Sequence, residues 1–309
     1  MKYKQYIKLL GPITKKVKPK GKIISRKVFK NYIQEKIEYF VEKNEKIKAF
    51  LLIPKNLEKK APLIICHHQH ASKYIRAKSE MVGLVGDKNL AYAKELVEKG
   101  FVTFAPDAIG FEERNKSKKN WWGSEYFELA TRLIKGKTLL AKNLSDLSIS
   151  LDYLQTRKEI NKYKIGFIGH SFGGRMAVLF PAYDKRVKAS VSNCYCRNFK
   201  DSLNFNSKTR IPMELVVPNI LKFGDFKDIV KLVHPCHLYI SAAKKDKWSQ
   251  DAKKIYNYVK PTFKIATLKL KIWPVKHEFS KKMRYEAYKF ICSIDIDPTF
   301  FIGKEIFIH

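Results

Sequence analysis

Six residues near the middle of the chain have the pattern of a nucleophile held at the end of a strand. Residues 169–174 read Gly-His-Ser-Phe-Gly-Gly, between an apolar run at 164–168 and a helical pattern at 175–180. In a Gly-x-Ser-x-Gly turn between strand and helix, the serine hydroxyl stands clear of the sheet edge. The two outer glycines avoid a Cβ where the turn is crowded. The flanking patterns favour a nucleophilic Ser171 over an ordinary Gly/Ser loop.

A serine hydroxyl becomes a good nucleophile only beside a base, which in turn needs an orienting carboxylate. After this kind of turn, the carboxylate and then the histidine follow in the chain, on loops after later strands. His277 comes directly after a predicted strand at 268–273 and before a helix. His234 and His237 instead lead into a strand. The spacing therefore predicts His277 as the base, with a surface-loop histidine as the alternative.

The best candidate for the carboxylate is Asp246, in the loop after a predicted strand at 236–240. Asp225 and Asp228 lie in a segment without a clear strand. Asp251 is placed to begin a helix, where a negative charge is favourable. We therefore predict Asp246 as the acid, a role compatible with its capping the helix that follows.

Acyl transfer also needs two N–H donors for the developing oxyanion. We expect one to be the backbone N–H of Phe172, beside the nucleophile. The second should come from residues 67–71, His-His-Gln-His-Ala, after a predicted strand at 63–66. His70 is the preferred donor and Gln69 the alternative. Three histidines in four residues also suggest a metal, but a fourth ligand is not visible, so we expect no metal and no cofactor.

Composition places the chain among globular proteins. Its 309 residues are 45% hydrophobic, enough for one large core. No apolar stretch is long enough to span a bilayer, and the N-terminus lacks a signal-peptide pattern. Five scattered cysteines suit reduced thiols, and Cys194 with Cys196 lacks the second pair that a zinc site would need. We therefore expect a cytoplasmic protein without a membrane partner.

The net charge of +33 raises the question of a nucleic-acid partner. Only ten of the 62 basic residues are arginines, the residue type that favours bidentate phosphate recognition. The lysines are spread over the whole chain. We therefore expect a lysine-rich surface that attracts anionic small molecules, and no specific nucleic-acid partner.

The order of predicted elements indicates an α/β protein. An antiparallel hairpin at 35–42 and 47–54 comes first, and strands then alternate with helices, which implies a mostly parallel sheet with helices on both faces. We expect a basic leader at 1–30 and one domain at 31–309, with a strand-free insertion at 195–232 that could cap the site. The later strands are predicted at 63–66, 101–105, 164–168, 187–192, 236–240 and 268–273, and the helices at 90–100, 125–155, 175–180, 250–259 and 280–292.

Over residues 35–292 the chain resembles the dienelactone hydrolase-like and acetyl xylan esterase-like branch of the α/β-hydrolases. The resemblance implies the α/β-hydrolase fold and a serine hydrolase that cleaves small carboxylic esters through an acyl-enzyme. Dienelactone hydrolases proper use a cysteine, whereas Ser171 aligns the chain with carboxylesterases and deacetylases. The motifs that carry the resemblance are His68–His70, Lys78–Glu80, Gly83–Gly86, Ala105–Asp107, Gly110–Arg114, Gly169–Gly174, Lys222–Asp225, Asp246 and His277–Ser280.

Four further residues are candidates for binding a small ester substrate. Glu112 and Arg114 could contact it, although a structural Glu–Arg link beneath the site is the favoured alternative. Trp121 and Trp122 could wall an acyl pocket or be buried in a core or cap. Lysines beside Asp246 suggest that the substrate is anionic.

Two other functions fit parts of the pattern. One is a peptidase or acylaminoacyl hydrolase of the prolyl-oligopeptidase type, which usually carries a large N-terminal propeller, unlike the short leader predicted here. The other is a non-catalytic protein that binds polyanions through a lysine-rich face of a hydrolase fold.

Overall fold

The computed structural model describes residues 1–12, 17–70, 74–117 and 123–294. The strands are β1 (Gly21–Val28), β2 (Tyr32–Glu42), β3 (Glu45–Pro54), β4 (Ala61–His67), β5 (Val102–Pro106), β6 (Ile160–His170), β7 (Ala189–Asn193), β8 (His237–Ala243) and β9 (Leu268–Trp273). The helices are α1 (Tyr3–Leu9), α2 (Lys78–Met81), α3 (Tyr92–Val97), α4 (Gly123–Ile134), α5 (Leu139–Leu154), α6 (Phe172–Tyr183), α7 (Ile220–Phe223), α8 (Phe226–Val233), α9 (Ala252–Val259) and α10 (Lys281–Ser293).

Within the described ranges the strands form one sheet, in the order β1-β2-β3-β5-β4-β6-β7-β8-β9. The first three strands and the β3–β5 pair are antiparallel, and every later pair is parallel. β4 reads as a continuous apolar run and is buried along its whole length, as expected of an inner parallel strand. The predicted α/β architecture with an N-terminal hairpin is confirmed.

Helices cover both faces of the sheet and bury a core on each side. On one face, α1, α5, α6, α8 and α9 pack against the strands. On the other face lie α2, α3 and α10. No helix among the residues described is long and apolar enough to cross a membrane.

The predicted helix at 125–155 is wrong, because the structure has two helices there. α4 ends before Gly136, whose φ of +64° is unfavourable for residues with a Cβ. α5 then begins with a new cap, in which the Thr138 hydroxyl accepts a hydrogen bond from the Ala141 N–H at 3.1 Å. Apolar residues have helical spacing on each side of this break, which is why the pattern suggested one helix.

The segment at 1–30 is integrated into the domain at two points. Tyr6 of α1 and Leu10 just after it are fully buried in the core. β1 pairs antiparallel with β2 and forms one edge of the sheet, with every one of its residues exposed. The pattern of basic residues gave no signal for this edge strand.

α6 approaches the sheet closely enough that two of its positions require glycine. A Cβ on Gly173 would overlap the backbone oxygen of His67, at the end of β4. A Cβ on Gly174 would overlap the backbone oxygen of Asn193, at the end of β7. These contacts set the position of the start of α6 relative to the carboxyl ends of the parallel strands.

We expect Gly174→Ala to lower the free energy of unfolding by about 3 kcal/mol or more, because the obstructing atoms are backbone and cannot turn away. The matched control is Gly83→Ala, where φ is +74° and the nearest atom to a new Cβ is 3.4 Å away. Its cost should be limited to the left-handed conformation, about 1–2 kcal/mol. Urea denaturation compares the two, and an equal loss would contradict this account of the close approach.

Candidate active site

Ser171 lies between the end of β6 and the start of α6 in an uncommon backbone conformation, with φ 57° and ψ −111°. Its N–H donates to the Asn193 carbonyl at 2.9 Å, and its own carbonyl accepts from the Arg175 N–H at 3.0 Å. The conformation is therefore fixed from both sides. The next residue, Phe172, opens the helix, so its N–H has no acceptor within the helix.

His277 and Asp246 are in direct contact, with His277 Nδ1 at 3.0 Å from Asp246 Oδ1. Asp246 is buried and accepts two further hydrogen bonds, from the Trp248 N–H at 3.1 Å and from the Ser249 hydroxyl at 2.7 Å. The carboxylate thus also caps the short 3₁₀ turn Lys247–Ser249. Because Nδ1 faces the carboxylate, the second ring nitrogen, Nε2, is left for another partner.

A cavity of about 480 Å³ contains Ser171 and His277 in its lining, together with Gln69 and His70. The structure thus brings these four predicted residues to one site, with Asp246 directly behind His277. The segment at 195–232 contributes part of the cavity wall. The remaining lining residues are Tyr74, Glu125, Arg175, Arg210, Ile211, Pro212, Met213, Lys247 and Trp248.

The loop after β4 is held by its histidine rings. His68 is buried, and its Nε2 accepts a hydrogen bond from the Ala108 N–H at 3.0 Å. Its other nitrogen, Nδ1, therefore carries the proton and donates to the Gln69 carbonyl at 2.8 Å. Burial lowers the pKa of His68 to about 3, so the ring is neutral. These bonds fix the backbone just before His70.

Two carboxylates hold the side chains of the same loop. The Gln69 amide donates to Glu80 at 3.0 Å. His70 Nε2 lies 3.2 Å from a carboxylate oxygen of Glu125, which also accepts a hydrogen bond from the Tyr74 hydroxyl at 2.6 Å. The side chains are thus occupied, and the contribution of Gln69 or His70 to an oxyanion would come from the backbone N–H.

The side chains that could hold a metal were tested by the geometry of their donor atoms. Among the described residues, one group has ligand atoms within 4.8 Å of one another: Cys194, Asp246 and His277. Burial raises the pKa of the Cys194 thiol, which donates to the Glu278 carbonyl at 3.3 Å. The potential donor atoms of this group thus already have protein partners, the Glu278 carbonyl for Cys194 and each other for Asp246 and His277. The group fits a hydrogen-bonded His–Asp pair better than a metal centre.

Two residues that the sequence did not single out hold the loop that carries His277. The Asn193 side-chain amide, at the end of β7, donates to the Glu278 carbonyl at 2.9 Å and lies 2.8 Å from His170 Nδ1. The His170 ring packs on the His277 ring, with centroids 4.7 Å apart. Burial lowers the pKa of His170, so it adds no charge beside His277. The available signal was the place of Asn193 at the carboxyl end of a parallel strand.

The structure does not bring Glu112 and Arg114 to the cavity. Glu112 accepts from the Lys78 ammonium at 3.1 Å and from the Ala77 N–H at 3.1 Å. Arg114 pairs with Asp146 at 2.6 Å and with Glu45 at 2.7 Å. Their contacts therefore correct the expectation of substrate binding in favour of a structural role, although the two do not link to each other. Trp121 and Trp122 lie outside the described residues.

A parallel sheet with a serine at a strand-to-helix turn, followed by aspartate and then histidine on later loops, defines an α/β-hydrolase. Residues 47–219 match the sequence model of the dienelactone hydrolase family. The Bacillus subtilis (strain 168) protein YtaP is 30% identical over 240 residues, which cover 75% of this chain and 76% of YtaP. The chain belongs to the dienelactone hydrolase family, and it is a hydrolase of the ester-cleaving type.

Solved structures show the same fold at low sequence identity. The acetyl xylan esterase from Paenibacillus sp. R4 aligns with a TM-score of 0.66 and 14% identity, covering 94% of this chain and 93% of that one. A glucuronoyl esterase from Solibacter usitatus aligns with a TM-score of 0.67 and 14% identity, covering 94% and 91%.

We expect Lys78→Met to lower the free energy of unfolding by about 3–5 kcal/mol, because it leaves a buried carboxylate without its cation. Lys78 is fully buried 2.5 Å from Asp107, and burial raises the pKa of that carboxyl to about 7 even with the lysine present. The control is Lys36→Met, which removes a partly exposed pair with Glu113 and should cost about 0–1 kcal/mol.

Thermal and urea unfolding of both variants give the comparison. The double variant with Lys78→Met and Asp107→Asn should recover part of the loss, because the buried Asp107 charge is then gone, while Glu112 and Glu113, the other partners of Lys78, keep their charges. Equal stability of the two single variants would contradict a structural role for the buried lysine.

Proposed function

We propose that the protein is a serine esterase in which Ser171 is the nucleophile, His277 the base and Asp246 the residue that orients the base. The observation that carries the proposal is the 3.0 Å contact between Asp246 and His277, in a cavity that Ser171 and His277 both line. This combination provides a hydroxyl, a base and a buried carboxylate in the order that acyl transfer uses.

In the first half-reaction, Ser171 Oγ attacks the ester carbonyl carbon while its proton passes to His277 Nε2. The tetrahedral intermediate then collapses, the carbon–oxygen bond to the alcohol breaks, and His277 returns the proton to the leaving alcohol. In the second half-reaction, His277 takes a proton from water, which attacks the acyl-enzyme and releases the carboxylic acid. His277 finally returns that proton to Ser171.

The environment of Asp246 suits its role, because the carboxylate is buried and its hydrogen bonds fix the orientation of its oxygen atoms. Its bonds from Trp248 and Ser249 hold the carboxylate plane, so the position of His277 Nδ1 is determined. A carboxylate at Nδ1 selects the tautomer with a free Nε2 and stabilises the imidazolium that forms during the reaction.

The oxyanion would be held by backbone N–H groups at the two ends of the site. Phe172 provides the first, because it is the initial residue of α6 and its N–H has no helical acceptor. The second comes from His70 or Gln69, on the loop whose position His68 fixes. Preorganised donors of this kind typically supply about 3 kcal/mol each.

The size of the cavity supports a small-molecule ester. Its volume of about 480 Å³ lies in the range of small-ligand pockets, roughly 300–1,000 Å³. Arg210 and Lys247 in its lining support attraction of an anionic substrate, while Arg175 is already paired with the buried Glu214.

Ser171→Ala should lower kcat/KM for p-nitrophenyl acetate by about 10³-fold or more, because the covalent route is lost. The matched control is Ser25→Ala, on the exposed edge strand, which should retain the activity of the unsubstituted protein. Circular dichroism confirms that both variants are folded. Retention of more than a tenth of the activity by Ser171→Ala would refute the assignment.

Asp246→Asn should lower kcat by about 10³–10⁴-fold with little change in KM, because the base loses its correct tautomer and the charge beside it. The control is Asp228→Asn, an aspartate of α8 that bonds to the Tyr258 hydroxyl at 2.8 Å and lies away from the cavity lining. Steady-state measurements of kcat and KM on p-nitrophenyl acetate compare the two variants. Similar activity in both variants would show that Asp246 does not orient His277.

A further inference from the structure

A second cavity, of about 340 Å³, is lined by residues between 199 and 222, within the segment at 195–232. Nearly all of its lining is apolar, whereas the cavity at Ser171 has mixed polar and apolar walls. The apolar side chains include Phe199, Leu203, Ile211, Leu215, Val217 and Leu221. Its volume is at the lower end of the range for small-ligand pockets.

Ile211 lines both cavities, so this one residue forms the boundary between them. The chain then runs along the boundary: Pro212 and Met213 line the cavity at Ser171, and Leu215–Val217 line the apolar one. The two cavities are therefore adjacent, and a substrate chain extended from Ser171 past Ile211 would reach the apolar cavity.

The catalytic cavity has mixed walls, in which Tyr74 and Trp248 offer aromatic surface and charged groups form another part. Arg175 and Glu125 are buried charged groups in that lining, and covering them with hydrocarbon without replacing their polar contacts would cost free energy. Ile211, Pro212 and Met213 provide an apolar side. The apolar chain of an ester whose carbonyl lies at Ser171 can extend along this aliphatic side, which leads to Ile211 and the adjacent apolar cavity.

The rim of the apolar cavity is also uncovered. Leu203 lines it and is 61% exposed, so part of the apolar surface of the cavity faces solvent. An apolar ligand chain in the cavity would reduce this exposure and gain the free energy of removing both surfaces from water.

We propose that the apolar cavity is a specificity site that binds an unbranched apolar chain of the ester substrate, of about four to eight carbons. This inference rests on the proposed esterase function of Ser171. It makes the preferred substrate an ester with a medium-length chain rather than an acetate of a small alcohol. The chain can belong to either side of the ester bond, because both share the same chemistry.

The test uses two substrate series with the full-length protein. One is p-nitrophenyl acetate, butyrate, hexanoate and octanoate, and the other is ethyl, butyl, hexyl and octyl acetate followed by pH-stat titration. In the series whose chain occupies the cavity, kcat/KM should rise by up to about fourfold for each methylene buried. A rise in the first series assigns the acyl chain, and a rise in the second assigns the alcohol.

Leu203→Glu places a charge at the rim and is tolerated by the fold because the side chain is exposed. It should lower the hexanoate-to-acetate ratio of kcat/KM by about tenfold, on the same scale of methylene burial. Leu221→Trp, which fills the cavity from within, should lower the same ratio. The matched control is Phe223→Glu, an exposed residue near Leu221 that does not line the cavity, and its ratio should stay unchanged.

A flat profile in both series would overturn the inference, as would an unchanged ratio in both Leu203→Glu and Leu221→Trp. Neither result would count against the esterase proposal, provided that acetate hydrolysis is still lost in Ser171→Ala. Acetate hydrolysis that persists in Ser171→Ala would instead overturn the proposed function itself.

Discussion

The backbone of Ser171, held at φ 57°, is the constraint on which the rest of the site depends. Such a conformation costs a residue with a Cβ about 1–3 kcal/mol, so it must be imposed by its surroundings. The surroundings are the hydrogen bonds from Ser171 to the Asn193 carbonyl and from Arg175 to Ser171, together with the close packing of α6 on β4 and β7. This backbone conformation places the Ser171 side chain beyond the end of the sheet, where it lines the cavity.

The sheet determines which loops can reach that side chain. β6, β7, β8 and β9 are neighbours in that order. Ser171 follows β6, Asn193 is the last residue of β7, and Asp246 and His277 follow β8 and β9. Strands in a sheet lie about 4.8 Å apart, so the end of β9 is three strand spacings, roughly 14 Å, from the end of β6. The loop with His277 must therefore lean back across β7 and β8. The hydrogen bonds from Asn193 and Cys194 to the Glu278 carbonyl hold it in that position.

Elements with a strong local pattern could be predicted from the sequence. The hairpin, the buried parallel strands and the placement of Asp246 and His277 after β8 and β9 follow from alternation, apolar runs and loop order. β1 could not be predicted in this way, because an edge strand with every residue exposed has no buried face to leave a pattern. The break between α4 and α5 was missed for the opposite reason, since strong helical spacing on both sides of Gly136 suggested a single helix.

The long-range contacts that support the site could not be predicted from local sequence patterns, for a different reason. Asn193 is hydrogen-bonded to Glu278, which lies 85 positions later in the sequence, and His70 contacts Glu125, which lies 55 positions later. Such pairs depend on strand order and on how loops fold back, and neither is recorded in the spacing of residues. Glu112 shows the same limit. Its motif could be identified in the sequence, but its hydrogen bond with Lys78 depends on how the segments before and after β5 fold together.

The central claim is that the Ser171 hydroxyl is activated by a histidine carried on a distant loop. Reaction with a fluorophosphonate, followed by peptide mapping by mass spectrometry, tests this most directly. The result expected is a single adduct on Ser171 that forms readily in the unsubstituted protein and is nearly absent in His277→Ala. Labelling of another residue, or equally fast labelling of Ser171 without the His277 imidazole, would contradict the claim.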